Sequence, residues 1–380
     1  MAPQGQLEKF DRYTLLHRIA EGGMSEVFIA HDPEGDDPKQ LVVIKRTRDD
    51  QRGNTTLIKA FVDEDAVLAR LSHPGIIRSL DFGRADRRYF IALQHVWGES
   101  LTTLSQLCHK LDKPFPTYAA IAIGARVARA LEHAHKATDE QGAPSPIIHR
   151  DVTLNNVLLS NLGEVKVLDF GIAKAKGRVT QTLMGEIKGN PEYLAPEQLQ
   201  QKRDIAPAAD VYQLGVLLYK LLVGRSPFPT ESEGSFVRAL LAGEVIKPSS
   251  VVRGFPPRIE QLLLKAMSQD PESRYTDGGE IAAALFGLLP PEWRDEQPRL
   301  AALFGDLAGP RHARQVAYIR KLLDGIAGDH ADAELLQRDH GAEEPKRLHV
   351  ELSLSDLPRP PELAIAASKA RPPALPKTTR

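Results

Sequence analysis

Between Tyr13 and Val96 the apolar residues come in short runs, Val27–Ala30, Leu41–Ile44 and Tyr89–Leu93, parted by turn-rich stretches such as Asp32–Pro38. Short apolar runs bounded by glycine, proline and aspartate predict strands. One helix interrupts them: Phe61, Leu68 and Leu71 recur near the 3.6-residue period, and the helix should stop before His73-Pro74. From Leu101 to about Leu288 the period is mostly helical, most clearly over Thr117–Lys136, Val211–Val223 and Ile259–Met267. The exception is a strand-like stretch, Val157–Leu168, bent at Asn161-Leu162-Gly163. The pattern predicts an α+β fold of two lobes, strand-rich over residues 13–96 and mostly helical over 97–288, behind an N-terminal extension of residues 1–12.

Beyond Leu288 the character changes. Pro290-Pro291, Pro298 and Pro310 punctuate what reads as short helical segments over residues 289–328, and Val316, Ile319, Leu322 and Leu323 fall on one side of the last of them. From 329 to 380 charge and proline dominate, which predicts a disordered tail suited to meeting regulatory partners.

Composition narrows the functional classes. A hydrophobic content of 42% over 380 residues supplies a large core, and a formal net charge of −1 gives no whole-molecule field for nucleic acid or an anionic membrane surface. Cys108 is the single cysteine, so an intramolecular disulfide and a cysteine-cluster metal site are both excluded; a buried, inert thiol in a reducing compartment is expected. The longest apolar stretches, Leu214–Leu222 and Ile281–Leu289, fall well short of the roughly 20 residues a spanning helix needs. Gln4, Gln6, Glu8, Lys9 and Asp11 break up any signal-like run at the start. A cytoplasmic protein with no membrane span is the expectation.

The candidate chemistry lies in His149-Arg150-Asp151, Asn156 and Asp169-Phe170-Gly171. Phosphoryl transfer from ATP needs a base beside the attacking hydroxyl and oxygen ligands that hold Mg2+ against the phosphates. Asp151 can accept the hydroxyl proton, Asn156 offers a neutral amide oxygen to the metal, and Asp169 adds a carboxylate from the far side of a strand hairpin. Asp-Phe-Gly also occurs at Asp81-Phe82-Gly83, but only the second copy follows the Asp151…Asn156 pair at the right distance. The first is expected to be a strand end with a turn glycine, without a catalytic role.

With these residues the sequence resembles the eukaryotic-type (bacterial, Hanks-type) Ser/Thr protein kinase family over roughly residues 13–288. The resemblance implies ATP and Mg2+ (or Mn2+) as cofactors and protein substrates as partners. It implies that Lys45, at the end of Leu41–Ile44, pairs with the α- and β-phosphates, and that Glu64 on the following helix pairs with Lys45. Asp63 and Asp65 flank Glu64 and are open alternatives. The glycine-rich loop corresponds to Ala20, Gly22, Gly23, Ser25 and Val27, with alanine and serine where two family glycines usually stand. Adenine would lie between Val27 and Val43 above and Leu158 below, with Leu93 at the back and the hinge running Gln94-His95-Val96, where backbone groups of Gln94 and Val96 meet the base.

Structural landmarks of the family follow in order. Ala195-Pro196-Glu197 closes an activation segment, Arg274 is placed to pair with Glu197, and Asp210 matches the aspartate that anchors the catalytic-loop backbone. Thr180 and Thr182 lie inside that segment, and Arg150 commonly receives a phosphate placed there, so autophosphorylation at either threonine is expected to order it. Two departures bear on the acceptor: Thr153-Leu154 stands where lysine and proline are usual, and Gly189-Asn190 where a threonine follows the glycine. Ala20, Ser25 and Thr153 favour a pseudokinase scaffold as an alternative reading; intact Lys45, Asp151, Asn156 and Asp169 favour an active enzyme. A small-molecule kinase is a third reading, disfavoured by the full activation segment.

Overall fold

Alternation along the first strands becomes an antiparallel sheet in the computed structural model, which describes residues 7–23, 25–37, 39–51, 54–170, 191–200 and 205–324. Its strands are β1 (Glu8–Phe10), β2 (Tyr13–Glu21), β3 (Ser25–His31), β4 (Leu41–Thr47), β5 (Ser79–Ala85) and β6 (Arg88–Gln94), in the order β1-β2-β3-β4-β6-β5. Period two sorts their side chains. Phe28 and Ala30 of β3 and Val42 and Ile44 of β4 point into a small core with Phe10, Tyr13, Leu15, Phe90 and Ala92. Val27, Ile29, Val43 and Lys45 therefore share the opposite face, and the register Val27↔Lys45, Ile29↔Val43 sets them side by side. Helix α1 (Thr55–Leu68) packs beside this sheet, its first turn capped by Asn54, whose side-chain oxygen accepts from Leu57 N at 3.2 Å.

Two features of this lobe differ from the sequence reading. The sheet starts at Glu8, upstream of the expected boundary at residue 13, because Phe10 is fully buried against Phe90, with ring centroids 5.5 Å apart. Asp81-Phe82-Gly83 lies in the middle of β5 and is not a strand end; the turn falls at Asp86-Arg87, both at positive φ. Asp81 is held there by Tyr13 Oη at 2.9 Å and Arg12 at 3.1 Å, and a Cβ on Gly83 would sit 2.7 Å from the Phe90 ring.

The second lobe begins with β7 (Gly98–Ser100), α2 (Leu101–Lys110) and the alanine-rich α3 (Thr117–His135). Strands β8 (Val157–Ser160) and β9 (Val165–Val167) complete a small sheet in the order β7-β8-β9. Helices α4 (Pro196–Leu199), α5 (Ala208–Val223), α6 (Glu233–Ala242), α7 (Pro248–Val251), α8 (Pro257–Ala266) and α9 (Gly278–Phe286) follow. Small residues let α3 sink into the main core against α5, which is itself buried along almost its whole length. Cys108 lies in this core, and burial pushes its thiol pKa up.

Residues 297–323 form one helix, α10 (Gln297–Leu323), where the prolines had suggested short segments. Pro310 sits inside it, where a proline cannot donate to the Asp306 carbonyl and its ring crowds that carbonyl. Burial of Leu300, Phe304, Ala308 and Ile319 against both lobes outweighs that loss. Among the described residues no helix is long and apolar enough to cross a membrane.

Candidate active site

The loop from His149 to Asn156 is fixed from below by one buried carboxylate. Asp210, fully buried near the start of α5, accepts from His149 N at 2.8 Å and Arg150 N at 2.7 Å. Its Oδ2 also lies 2.9 Å from His135 Nε2 on α3. Burial alone would raise the Asp210 pKa; the His135 contact and the backbone donors outweigh it and hold the carboxyl below its usual range. These bonds hold Arg150 at φ 66°, a conformation L-residues rarely adopt. Gln213, one turn on from Asp210, continues the support: its Oε1 accepts from Val152 N at 2.8 Å and its Nε2 donates to Arg150 O at 2.9 Å.

Above this support the candidate groups converge. Asn156 Nδ2 donates to Asp151 O at 2.9 Å and to Asp151 Oδ2 at 3.1 Å, which fixes the carboxylate. Leu168 N donates to Asn156 O at 2.8 Å, and His149 Nε2 lies 2.8 Å from Leu168 O, so the hairpin β8–β9 returns the chain beside the loop. Asp169 follows at φ 48°, and Phe170 turns into the core with its ring 4.5 Å from His149.

Lys45 joins the two lobes. Its Nζ lies 2.7 Å from Glu64 Oε1 and 2.9 Å from Asp169 Oδ1. Burial alone would lower the lysine pKa; Asp169 and then Glu64 outweigh it, and the ammonium is strongly favoured. Lys45 in turn holds the Asp169 carboxyl below its usual range. Burial pushes Glu64 up, with Lys45 opposing. Of the three acidic candidates on α1, Glu64 is the partner; Asp65 instead accepts from Ser79 Oγ at 2.7 Å.

A cavity of about 420 Å3 opens in front of Lys45. Ala20, Val27, Val43, Leu93, Gln94, Val96, Leu158 and Asp169 all line it. Gly22, Gly23 and Ser25 do not: Gly22 N bonds Ser25 O at 2.8 Å and closes the β2–β3 hairpin as a turn. Asn156 faces Asp151, and its neighbour Asn155 lines the cavity. A larger cleft of about 750 Å3, bordered by Arg70, Arg126, Arg129 and Lys136, lies away from all of these groups.

Glu197 and Arg274 form the expected pair, bidentate at 2.7 and 2.9 Å, with the arginine side chain fully buried. Gly171, Thr180, Thr182, Gly189 and Asn190 lie outside the described residues. Sequence reasoning missed His135, Gln198 and Gln213 beneath the loop, and Gln315 and Ile319 on the cavity wall. A histidine near the end of an alanine-rich helix, and Ile319 in the apolar side of the last helix, were the available signals among them.

Comparison with known proteins agrees with this geometry. The protein kinase domain family matches residues 13–286. Tyrosine-protein kinase MasK of Myxococcus xanthus (strain DK1622) is 37% identical over 279 residues, which cover 73% of this chain and 43% of that protein. Serine/threonine-protein kinase PknL of Mycobacterium tuberculosis (strain ATCC 25618 / H37Rv) is 33% identical over 298 residues, 77% of this chain and 70% of that protein. The crystal structure of the Mycobacterium tuberculosis PknI kinase domain superposes with a TM-score of 0.55 at 25% identity, covering 76% of this chain and 99% of that domain. This chain spans less than half of MasK, so what it shares is the domain and not the whole architecture. The chain belongs to the protein kinase family.

Proposed function

We propose that this chain is a Ser/Thr protein kinase that transfers the γ-phosphoryl group of ATP to protein hydroxyls. The observation that carries the reading is Lys45 bridging Glu64 and Asp169 at one end of a base-sized cavity, with Asp151 and Asn156 locked beside it. A pseudokinase has no need to keep all five groups.

The roles follow from chemistry. The backbone of Gln94 and Val96 meets the adenine, and Val27, Val43 and Leu158 sandwich it. Lys45 neutralises the α- and β-phosphates. Asp169 and Asn156 would hold Mg2+: both are oxygen donors suited to a hard cation, and the Asp169 side chain keeps 47% of its surface accessible. The metal would screen charge on the phosphates. Asp151 orients the acceptor hydroxyl and takes its proton as the oxygen bonds to the γ-phosphorus; the bond to the β–γ bridging oxygen breaks and ADP leaves. A chain with one cysteine, buried, suits the cytoplasm.

A tyrosine acceptor is the second reading. It is favoured by the 37% identity to MasK and by Thr153 in place of the lysine usual in Ser/Thr kinases. One experiment separates the readings: incubate the wild-type chain and Asp151→Asn with Mg-ATP and map phosphate by mass spectrometry. Phosphoserine or phosphothreonine, absent with Asp151→Asn, is expected. Phosphotyrosine alone would select the second reading, and no transfer by the wild type would refute both.

A further inference from the structure

Helix α10 lies beyond the matched kinase domain, yet two of its residues, Gln315 and Ile319, line the same cavity as Lys45 and the hinge. The helix presents one continuous stripe: Leu300, Phe304, Ala308, Arg311, Gln315 and Ile319 recur at steps of three or four. In its first half the stripe residues Leu300, Phe304 and Ala308 are buried in the core of the second lobe. Arg311 Nε then meets Glu99 Oε1 at 2.7 Å, with the two side chains only 8% and 3% exposed. Its second half reaches the first lobe, where Tyr318 packs on His17 with centroids 5.6 Å apart and Asp324 pairs with Lys39 at 3.1 Å.

We propose that α10 is a working wall of the nucleotide site: Ile319 covers the outer edge of the purine slot, and the Gln315 amide hydrogen-bonds the nucleoside where it leaves the hinge. The inference rests on the reading of the cavity as the ATP site. The buried pair Arg311–Glu99 fixes the register that brings residues 315 and 319 to the opening, because either charge alone would be stranded away from water. Ile319 is 1% exposed, yet about 420 Å3 of cavity stays open beside it. That volume is within the range of small-molecule pockets, so the helix borders the site and does not plug it. Since the helix touches both lobes and the ligand, nucleotide binding and helix docking must strengthen each other by the same factor.

The test uses the full chain and Mg2+ with a non-hydrolysable ATP analogue. Ile319→Ala and Gln315→Ala should each weaken the dissociation constant, measured by titration calorimetry, by about fivefold or more. In the wild type the analogue should slow amide hydrogen exchange over residues 311–323, a readout that needs no variant to fold. Affinities within about twofold of wild type, tighter binding, or unchanged exchange in that segment would each overturn the inference. Lys45→Ala separates the two levels. If it abolishes binding while both helix variants bind as wild type, only the wall is wrong. If the wild-type chain binds no nucleotide, the cavity assignment fails and the wall with it.

Discussion

Asp210→Asn is the sharpest perturbation of the site, because it alters one oxygen without changing shape. The carboxylate accepts three close contacts, from His149 N at 2.8 Å, Arg150 N at 2.7 Å and His135 Nε2 at 2.9 Å. An asparagine oxygen placed toward His149 and His135 keeps two of them, and its amide then faces the Arg150 N–H, donor against donor. The opposite orientation leaves two donors unmatched. A buried hydrogen bond to a charged group contributes about 1.5–3 kcal/mol, and an orphaned buried donor costs about 1–3 kcal/mol. The variant should therefore lose about 2–4 kcal/mol of stability in urea denaturation. Freed of its anchor, Arg150 relaxes from φ 66° and carries the adjacent Asp151 with it. A displacement near 1 Å costs about 10²-fold in rate, so kcat for phosphorylation should fall by about that factor. None of residues 149–151 lines the nucleotide cavity, so KM for ATP should move by less than about threefold. A stability loss below about 1 kcal/mol, or a raised KM with kcat intact, would refute the reasoning.

Three further outcomes are expected. Arg274→Ala strands the Glu197 carboxylate, 6% exposed, and should cost about 3–5 kcal/mol in urea unfolding; the paired change Glu197→Gln, Arg274→Met should recover part of it, and a simple sum of the single effects would count against the pair. Burial, helped by neighbouring His312, lowers the His95 pKa from 6.5 to about 4. The unfolded chain therefore binds the extra proton between those values, and stability is full above pH 6.5 and declines toward pH 4 by at most about 3 kcal/mol. His95→Gln should flatten that decline in urea midpoints measured against pH, and an unaltered slope would reject the assignment. Arg150 Nε is buried with no hydrogen-bond partner among the described residues, as suits a receiver for phosphate, so Thr180→Ala with Thr182→Ala should lower kcat about tenfold or more; unchanged turnover in a peptide assay would dismiss both threonines.

Much of the candidate constellation was legible because Asp151, Asn156 and Asp169 stand in short motifs that resemble those of the kinase family. Asp151 and Asn156 stand five positions apart in one loop, where the amide reaches the carboxylate, and the hairpin β8–β9 returns Leu168 and Asp169 beside them. Period two in Leu41–Thr47 likewise places Val43 and Lys45 on one face. Choosing among Asp63, Glu64 and Asp65 was different. Neighbours on a helix differ by about 100° in direction, and only the packing of Leu57, Phe61 and Leu68 decides which carboxylate faces Lys45. The first Asp-Phe-Gly misled for a related reason. Aspartate and glycine are poor strand formers alone, but Tyr13 and Arg12 bind Asp81 and the Phe90 ring fills the space above Gly83, so tertiary contacts overrode local preference.

The wall formed by α10 was hidden by a property of the stripe itself. Periodicity is found by searching for apolar residues, and Val316, Ile319, Leu322 and Leu323 gave that signal only near the end of the helix. The residues that place it are of mixed kind: Leu300, Phe304 and Ala308 face the core, Arg311 faces Glu99, and Gln315 faces the cavity. Each is suited to what it meets, so the face changes from apolar to charged to polar along its length while keeping one geometric period. Arg311 and Glu99 find each other across more than two hundred positions of chain, a relation no local pattern encodes. The same holds for His135 and Gln213 beneath the loop. In this protein the candidate reacting groups were readable from short motifs, and the groups that hold or enclose them were not, because their partners come from elsewhere in the chain.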